Sequence, residues 1–163
     1  MYKRQIRNYP STFVPFKLGE YFISLPTPFV KFTQGSTKNP GTFTFTEPLT
    51  IPTFTSAYKG KLVVLLNELS QSQAEYTAMA FRAGENTTII GSTTAGADGN
   101  VSMILLPGGL RTMISGIGVY YPDGGETQRI GIVPDIEVQP TIEGIRNGKD
   151  ELLDKAVEII LAE

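Results

Sequence analysis

Residues 61–91, KLVVLLNELSQSQAEYTAMAFRAGENTTIIG, decide the fold. Lys61 to Asn67 is a short, continuously apolar run closed by a polar turn, the pattern of a central strand covered on both faces. Ser72 to Ala83 follows, rich in helix formers, with Ala74, Ala78 and Phe81 spaced along one helical face. Thr87 to Gly91 then supplies β-branched residues for a second strand. Strand, tight turn, helix and strand in this order make a βαβ crossover, and the fold class it predicts is α/β with a parallel sheet.

Working outward, Ser92 to Gly99 (STTAGADG) is a small, polar loop just past a strand end, a place where sites are often built. Val101 to Leu106 and Leu110 to Ile117 flank Pro107, Gly108 and Gly109 and predict an antiparallel hairpin. A turn at Pro122 to Gly125 and a short extended segment over Ile130 to Val138, broken by Pro134, come next. The chain closes with a helix that Asp150 can cap, its apolar stripe formed by Leu152, Leu153, Ala156, Val157, Ile159 and Ile160. On the other side, Thr12 to Phe22 suggests a helix weakened by Pro15 and Gly19, and Ile23 to Thr33 an extended stretch. Gln34 to Ser56 suggests a loop with a small β excursion.

At 163 residues the chain fits one domain, residues 1–163, able to bury roughly 68–70% of its unfolded surface. Sixteen acidic against 14 basic side chains, the latter dispersed, argue against a nucleic-acid partner. The start MYKRQIRNYP lacks the apolar stretch of a secretion signal, and no run reaches the roughly 18 apolar residues of a membrane span. Without cysteine there is no disulfide framework, thiolate metal site or thiol nucleophile. Without histidine, hydrolysis by these residues alone needs a carboxylate, a lysine or an unusual pair as base. No metal set or cofactor-binding motif is present: the glycines from 91 to 99 lack the lysine and spacing of a phosphate-binding loop.

Residues 67–75, NELSQSQAE, place Ser70 and Ser72 on the turn between strand and helix. Ser72 with Glu75, and equally Ser70 with Gln73, fits a capping box, the ordinary reason for serine here. The same position suits chemistry, because the unpaired amides and positive dipole end of a helix stabilise an oxyanion. Asp98, Asp123 and Asp135 sit in turns where aspartate ordinarily bonds backbone amides.

Three motifs in order carry a resemblance. They are Asn67, Ser72 and Glu75; then Gly91, Thr94 and Gly96; then Gly131, Ile132, Pro134, Asp135 and Ile136, preceded by Tyr120, Pro122, Asp123 and Gly124. From about residue 4 to its end the chain resembles the carboxyl-terminal processing peptidases, or tail-specific proteases, with their tricorn-like and retinoid-binding relatives. The resemblance implies a crotonase/ClpP-like layered core of sheet and helices, incomplete at its N-terminus, with the β-hairpin as an excursion. It implies a serine-type endopeptidase acting on polypeptides in an extracytoplasmic setting, periplasmic or cell envelope. Ser72 stands at the family's nucleophile, with Ser70 the less favoured position, and Gln73 at the residue whose N–H faces the oxyanion. Arg7, Asn8, Tyr9, Pro10 and Ser11 resemble the segment giving a second donor, without its Gly-Gly pair; Ser11 or Thr12 stands there instead.

The catalytic base departs from the family. The lysine that follows the loop glycine is replaced by Ala97, none of the eight lysines falls at that place, and the histidine of tricorn-like members is missing. Two expectations follow. In the first, the chain is a C-terminal piece of the catalytic domain whose base precedes Met1, and the isolated piece is inactive. In the second, the scaffold is a non-catalytic domain binding a peptide or an apolar ligand. A crotonase-type acyl-thioester site in the glycine-rich loop is a further, weaker reading.

Overall fold

The computed structural model describes residues 3–5, 10–54 and 56–162. In chain order the first half holds β1 (Lys3–Gln5), α1 (Val14–Gly19), β2 (Thr27–Gly35), β3 (Phe43–Phe45), β4 (Leu49–Ile51), β5 (Leu62–Leu66), α2 (Gln73–Arg82) and β6 (Thr87–Gly91). The second half holds β7 (Val101–Leu105), β8 (Arg111–Ser115), β9 (Val119–Tyr120), β10 (Ile136–Glu137), α3 (Ile142–Arg146) and α4 (Glu151–Leu161).

The expected crossover is present. β5 and β6 pair in parallel from Leu62↔Thr87 to Leu66↔Gly91, inside a four-stranded parallel sheet of order β1-β5-β6-β10. All five β5 residues are buried because both faces are covered. Leu62, Val64 and Leu66 point into the larger core with Ala78 and Phe81 of α2, while Val63 and Leu65 meet Leu152 and Ala156 of α4 on the other face. Each such side chain contributes about 1.5–3 kcal/mol by leaving water, so β5 anchors the turn that follows it. α2 is buried almost all round rather than on one stripe, with Thr77, Met79 and Ala80 joining the predicted face, because β2 and α1 pack over its outer side.

The N-terminal third is more ordered than its sequence suggests. The expected helix over 12–22 is confined to Val14–Gly19; Pro15 is accommodated in its first turn, and the Phe22 amide bonds back to Gly19 as the chain turns into the core. β3 and β4 flank β2 in an antiparallel sheet, to which β9 also pairs. The β7–β8 hairpin forms in the predicted place and is solvent-exposed along both strands. α4 begins at Asp150, whose Oδ1 accepts from Leu153 N at 3.1 Å. α3 is an addition to the sequence reading, and Thr141 caps it by accepting from Gly144 N at 2.9 Å.

Candidate active site

β5 ends at Leu66 and the chain reverses through residues 67–72 into α2. Ser70 is buried in that reversal: its Oγ accepts from Asn67 N at 3.2 Å and its carbonyl accepts from Ala95 N at 3.0 Å, so it ties the turn to the glycine-rich loop. Ser72 is placed differently. It lies at φ 52°, ψ −119°, the first central position of a type II′ turn closed by Ala74 N donating to Gln71 O at 3.0 Å. Apart from Arg129 it is the one non-glycine residue at positive φ among the described residues. Half-buried, Ser72 lines a cleft of about 420 Å³ together with Gln73 and Thr12. The walls are apolar and aromatic, from Phe16, Phe32, Tyr76, Val101, Ile117 and Val119. Gln73 is the first residue of α2, where backbone amides have no partner within the helix.

Glu75 holds this turn against the glycine-rich loop. Its side chain is fully buried and takes four donors: Ser72 N at 2.9 Å, Thr94 Oγ1 at 2.5 Å, Gly96 N at 2.7 Å and Ala97 N at 3.0 Å. Thr94 Oγ1 in turn accepts from Ile132 N at 2.7 Å. Two of the sequence motifs thus meet at one carboxylate and the third is joined to it through Thr94; the burial of that carboxylate is compensated by its donors. Gly96 and Gly131 cross closely here: a side chain at Gly131 would stand 2.5 Å from Thr94 O, and both glycines have positive φ.

The electrostatics of the cleft centre on Asp98, which also lines a neighbouring hollow of about 500 Å³ formed with Ser115, Glu126 and Arg129. Asp98 is 5% exposed; Oδ1 accepts from Gly99 N at 2.7 Å, whereas Oδ2 is buried without a hydrogen-bond partner among the described residues. Burial first, and then the negative charge of Glu75, pushes its carboxyl up to about 7 against the Gly99 amide, which pulls it down. Tyr76 is pushed up to about 12, by burial and then by Asp98. Sequence reasoning saw Asp98 only as a turn residue, because the burial that changes its chemistry comes from chain distant in sequence.

The remaining predicted residues fall elsewhere. Asp135 is structural in its contacts: Oδ2 accepts from Ile89 N at 2.6 Å and Oδ1 pairs with Arg82 at 3.3 Å, away from the cleft. Asp123 closes its own turn by accepting from Gly125 N at 2.9 Å. Arg7, Asn8 and Tyr9, part of the expected second-donor segment, lie outside the described residues, although Thr12 just beyond them reaches the cleft. Lys61 Nζ donates to Ile159 O at 3.1 Å and to Ala162 O, at the end of α4. Among the described residues no cluster of three or more acidic side chains could hold a metal ion, and no helix is long and apolar enough to cross a membrane.

The chain resembles known proteins in sequence and in fold. The model of peptidase family S41 matches residues 17–138. A protein of Chlamydia trachomatis serovar D is 30% identical over 107 residues, 63% of this chain and 18% of the relative. Among solved structures, a candidate peptidase from Parabacteroides merdae ATCC 43184 gives a TM-score of 0.80 at 24% identity over 97% of this chain and 50% of its own. Mature CPAF complexed with lactacystin gives 0.74 at 19% identity, over 92% of this chain and 42% of its own. The photosystem II D1 C-terminal processing protease gives 0.58 at 17%, over 79% and 31%. The chain therefore spans half or less of the length of each of these proteins.

Proposed function

Because the chain belongs to peptidase family S41, we propose that residues 1–163 form part of the catalytic domain of a serine-type endopeptidase cleaving polypeptides, with Ser72 as nucleophile. The observation that carries this reading is the Ser72 backbone. A non-glycine residue at φ 52°, ψ −119° stores strain on the order of 1–3 kcal/mol, and such strain persists where the surroundings over-determine it, characteristically at functional sites. Here the surroundings are the type II′ turn, the Glu75 carboxylate on the Ser72 N–H, and the buried strand behind. The result is a serine set on the wall of an open cleft at the start of a ten-residue helix.

In this reading Ser72 Oγ attacks the scissile carbonyl carbon, and the carbonyl oxygen gathers negative charge beside the Gln73 N–H, where the α2 dipole favours it. The apolar walls of the cleft receive an adjoining side chain of the polypeptide. An extracytoplasmic setting belongs to the same reading. Ala97 occupies the place from which the processing peptidases supply a proton acceptor, so that role falls to a group other than residue 97.

The test is covalent labelling of the intact protein with a fluorophosphonate probe, followed by peptide mass spectrometry. Modification of Ser72, abolished in Ser72→Ala, is the expected result. Saturable peptide binding with an unmodified Ser72 would instead establish a non-catalytic binding domain on the same scaffold.

A further inference from the structure

The β7–β8 hairpin is rooted at the Ser72 cleft: Gly99, Asn100 and Val101 line the cleft as the chain enters β7, and Ile117 lines it where the chain returns. From Asn100 to Gly116 every residue is exposed. Val101, Met103 and Leu105 are 58%, 58% and 70% exposed, and Arg111 is the one charged side chain in this stretch. A two-stranded ribbon is at best marginally stable in water, so so apolar a surface calls for a cover. The hydrogen-bond register tells which backbone groups are open to one. Gly116 N donates to Asn100 O at 2.6 Å and Leu106 N to Leu110 O at 2.8 Å. Along the register from Val101↔Ser115 to Leu105↔Arg111, bonded and non-bonded pairs alternate. Ser102 and Ile104 therefore commit their amides and carbonyls to β8, while those of Val101, Met103 and Leu105 point away from it. On β8 the outward positions are Arg111, Met113 and Ser115. No strand pairs with either outer edge among the described residues.

We propose that the outer edge of β7 is a docking strand for the polypeptide substrate, which runs out of the Ser72 cleft in extended form and adds to β7 as a third strand. This rests on the polypeptide-cleaving reading of the cleft. A free edge is ordinarily blunted by a charge, a proline or a bulge; β8 carries Arg111, whereas β7 carries none of the three. The occupant follows from where that edge begins. Val101 is at once a wall of the cleft and the first outward-facing position of β7, so a chain passing it is already aligned with Met103 and Leu105. The open amides and carbonyls of these three residues repeat about every 7 Å, the repeat of an extended partner strand. Because main chain makes the bonds, docking tolerates many sequences. Val101, Met103 and Leu105 on one face and Ile104 on the other offer apolar neighbours without a charge, which selects uncharged, apolar segments of the kind a folded protein keeps inside.

The experiment uses the intact protein carrying Ser72→Ala, so that substrate is bound and not cut, with fluorescein-labelled β-casein, an unfolded polypeptide, as the probe. With β-casein at saturation, residue-resolved amide exchange should slow about tenfold or more at Val101, Met103 and Leu105 and stay unchanged at Met113 and Ser115. Met103→Pro removes the central outward N–H without touching a β7–β8 bond, and should weaken binding, read by fluorescence anisotropy, about tenfold or more. Met103→Ala shortens the side chain but keeps the amide and should bind more tightly than Met103→Pro; an equal loss in both would assign the effect to the side chain and overturn the proposal. Met113→Pro blocks the other edge and should bind as the Ser72→Ala parent does. No binding of β-casein, equal binding by Met103→Pro and the parent, or binding that leaves the three β7 amides unprotected overturns the proposal. So does protection of those amides without β-casein that rises with protein concentration, which would make a second copy the occupant. Should Met103→Pro not fold, the exchange measurement decides by itself. The proposed function has a separate fate: it falls if the fluorophosphonate never modifies Ser72 in the wild-type protein, whether or not the β7 amides are protected.

Discussion

Glu75 Oε2 accepts the Ser72 backbone N–H at 2.9 Å, so the residue proposed to attack is fixed by a carboxylate one helical turn away. The bond belongs to the capping box that the spacing of Ser72 and Glu75 predicts. Its partner oxygen, Oε1, reaches instead to Thr94 and Gly96. The cap of one helix and the fastening of a distant loop are the same side chain.

Replacing Glu75 by Ala should therefore be costly. Three backbone amides and the Thr94 hydroxyl lose their acceptor in a buried place, and we expect a loss of about 3–5 kcal/mol in urea unfolding. Glu75→Gln, which keeps the shape but accepts through one oxygen, should lose roughly half of that.

Ser72→Gly should behave in the opposite way. Glycine reaches φ 52°, ψ −119° without a Cβ penalty and is only slightly inferior as an N-cap. The expected outcome is a stability gain of up to about 1 kcal/mol together with complete loss of probe labelling. An unchanged or lowered unfolding midpoint would show that Ser72 is not strained.

Gly91→Ala tests the strand end from which the glycine-rich loop departs. A Cβ there would lie 1.9 Å from Leu66 O, at φ 126°, so the β5–β6 ladder would have to separate at its last pair. We expect at least about 3 kcal/mol of destabilisation and, with the loop displaced, loss of Ser72 labelling. A Gly148→Ala control, also at positive φ but with open space around it, should cost much less.

Stability should fall as pH rises through the acid-to-neutral range, on account of Asp98. The unfolded carboxyl loses its proton near 3.8 and the folded one near 7, so between these values the native state binds more protons and the unfolded state gains on it. The contribution is fully present below about 3.8 and lost as pH passes 7; it amounts to on the order of 4 kcal/mol at most. Asp98→Asn should remove this slope and be the more stable protein at pH 8, measured by thermal unfolding across the range. A wild-type curve parallel to that of Asp98→Asn from pH 4 to 8 would contradict it.

The crossover from residue 61 to 91 was legible because its signals are local: an apolar run, a helix-forming stretch and β-branched residues, each within a few positions. The α4 stripe and its Asp150 cap were legible for the same reason. β3, β4 and β9 were not, since they exist by pairing with β2 across sequence and carry little patterning of their own. At the site, Ser72 and Glu75 could be read from their spacing. The bonding of Thr94 and Gly96 to the Glu75 carboxylate, with Ile132 N on Thr94 Oγ1, could not, nor could the burial of Asp98, because both depend on chain segments more than 18 residues apart.

The four-donor carboxylate also governs how this region opens. Its donors come from the helix start and from a loop 19 to 22 residues further on. Lifting that loop alone would strand an anion in a dry interior. Amide exchange at Gly96 and Ala97 should consequently be as slow as in β5, an exposed-looking glycine loop that surrenders its protons only when the whole sheet comes apart.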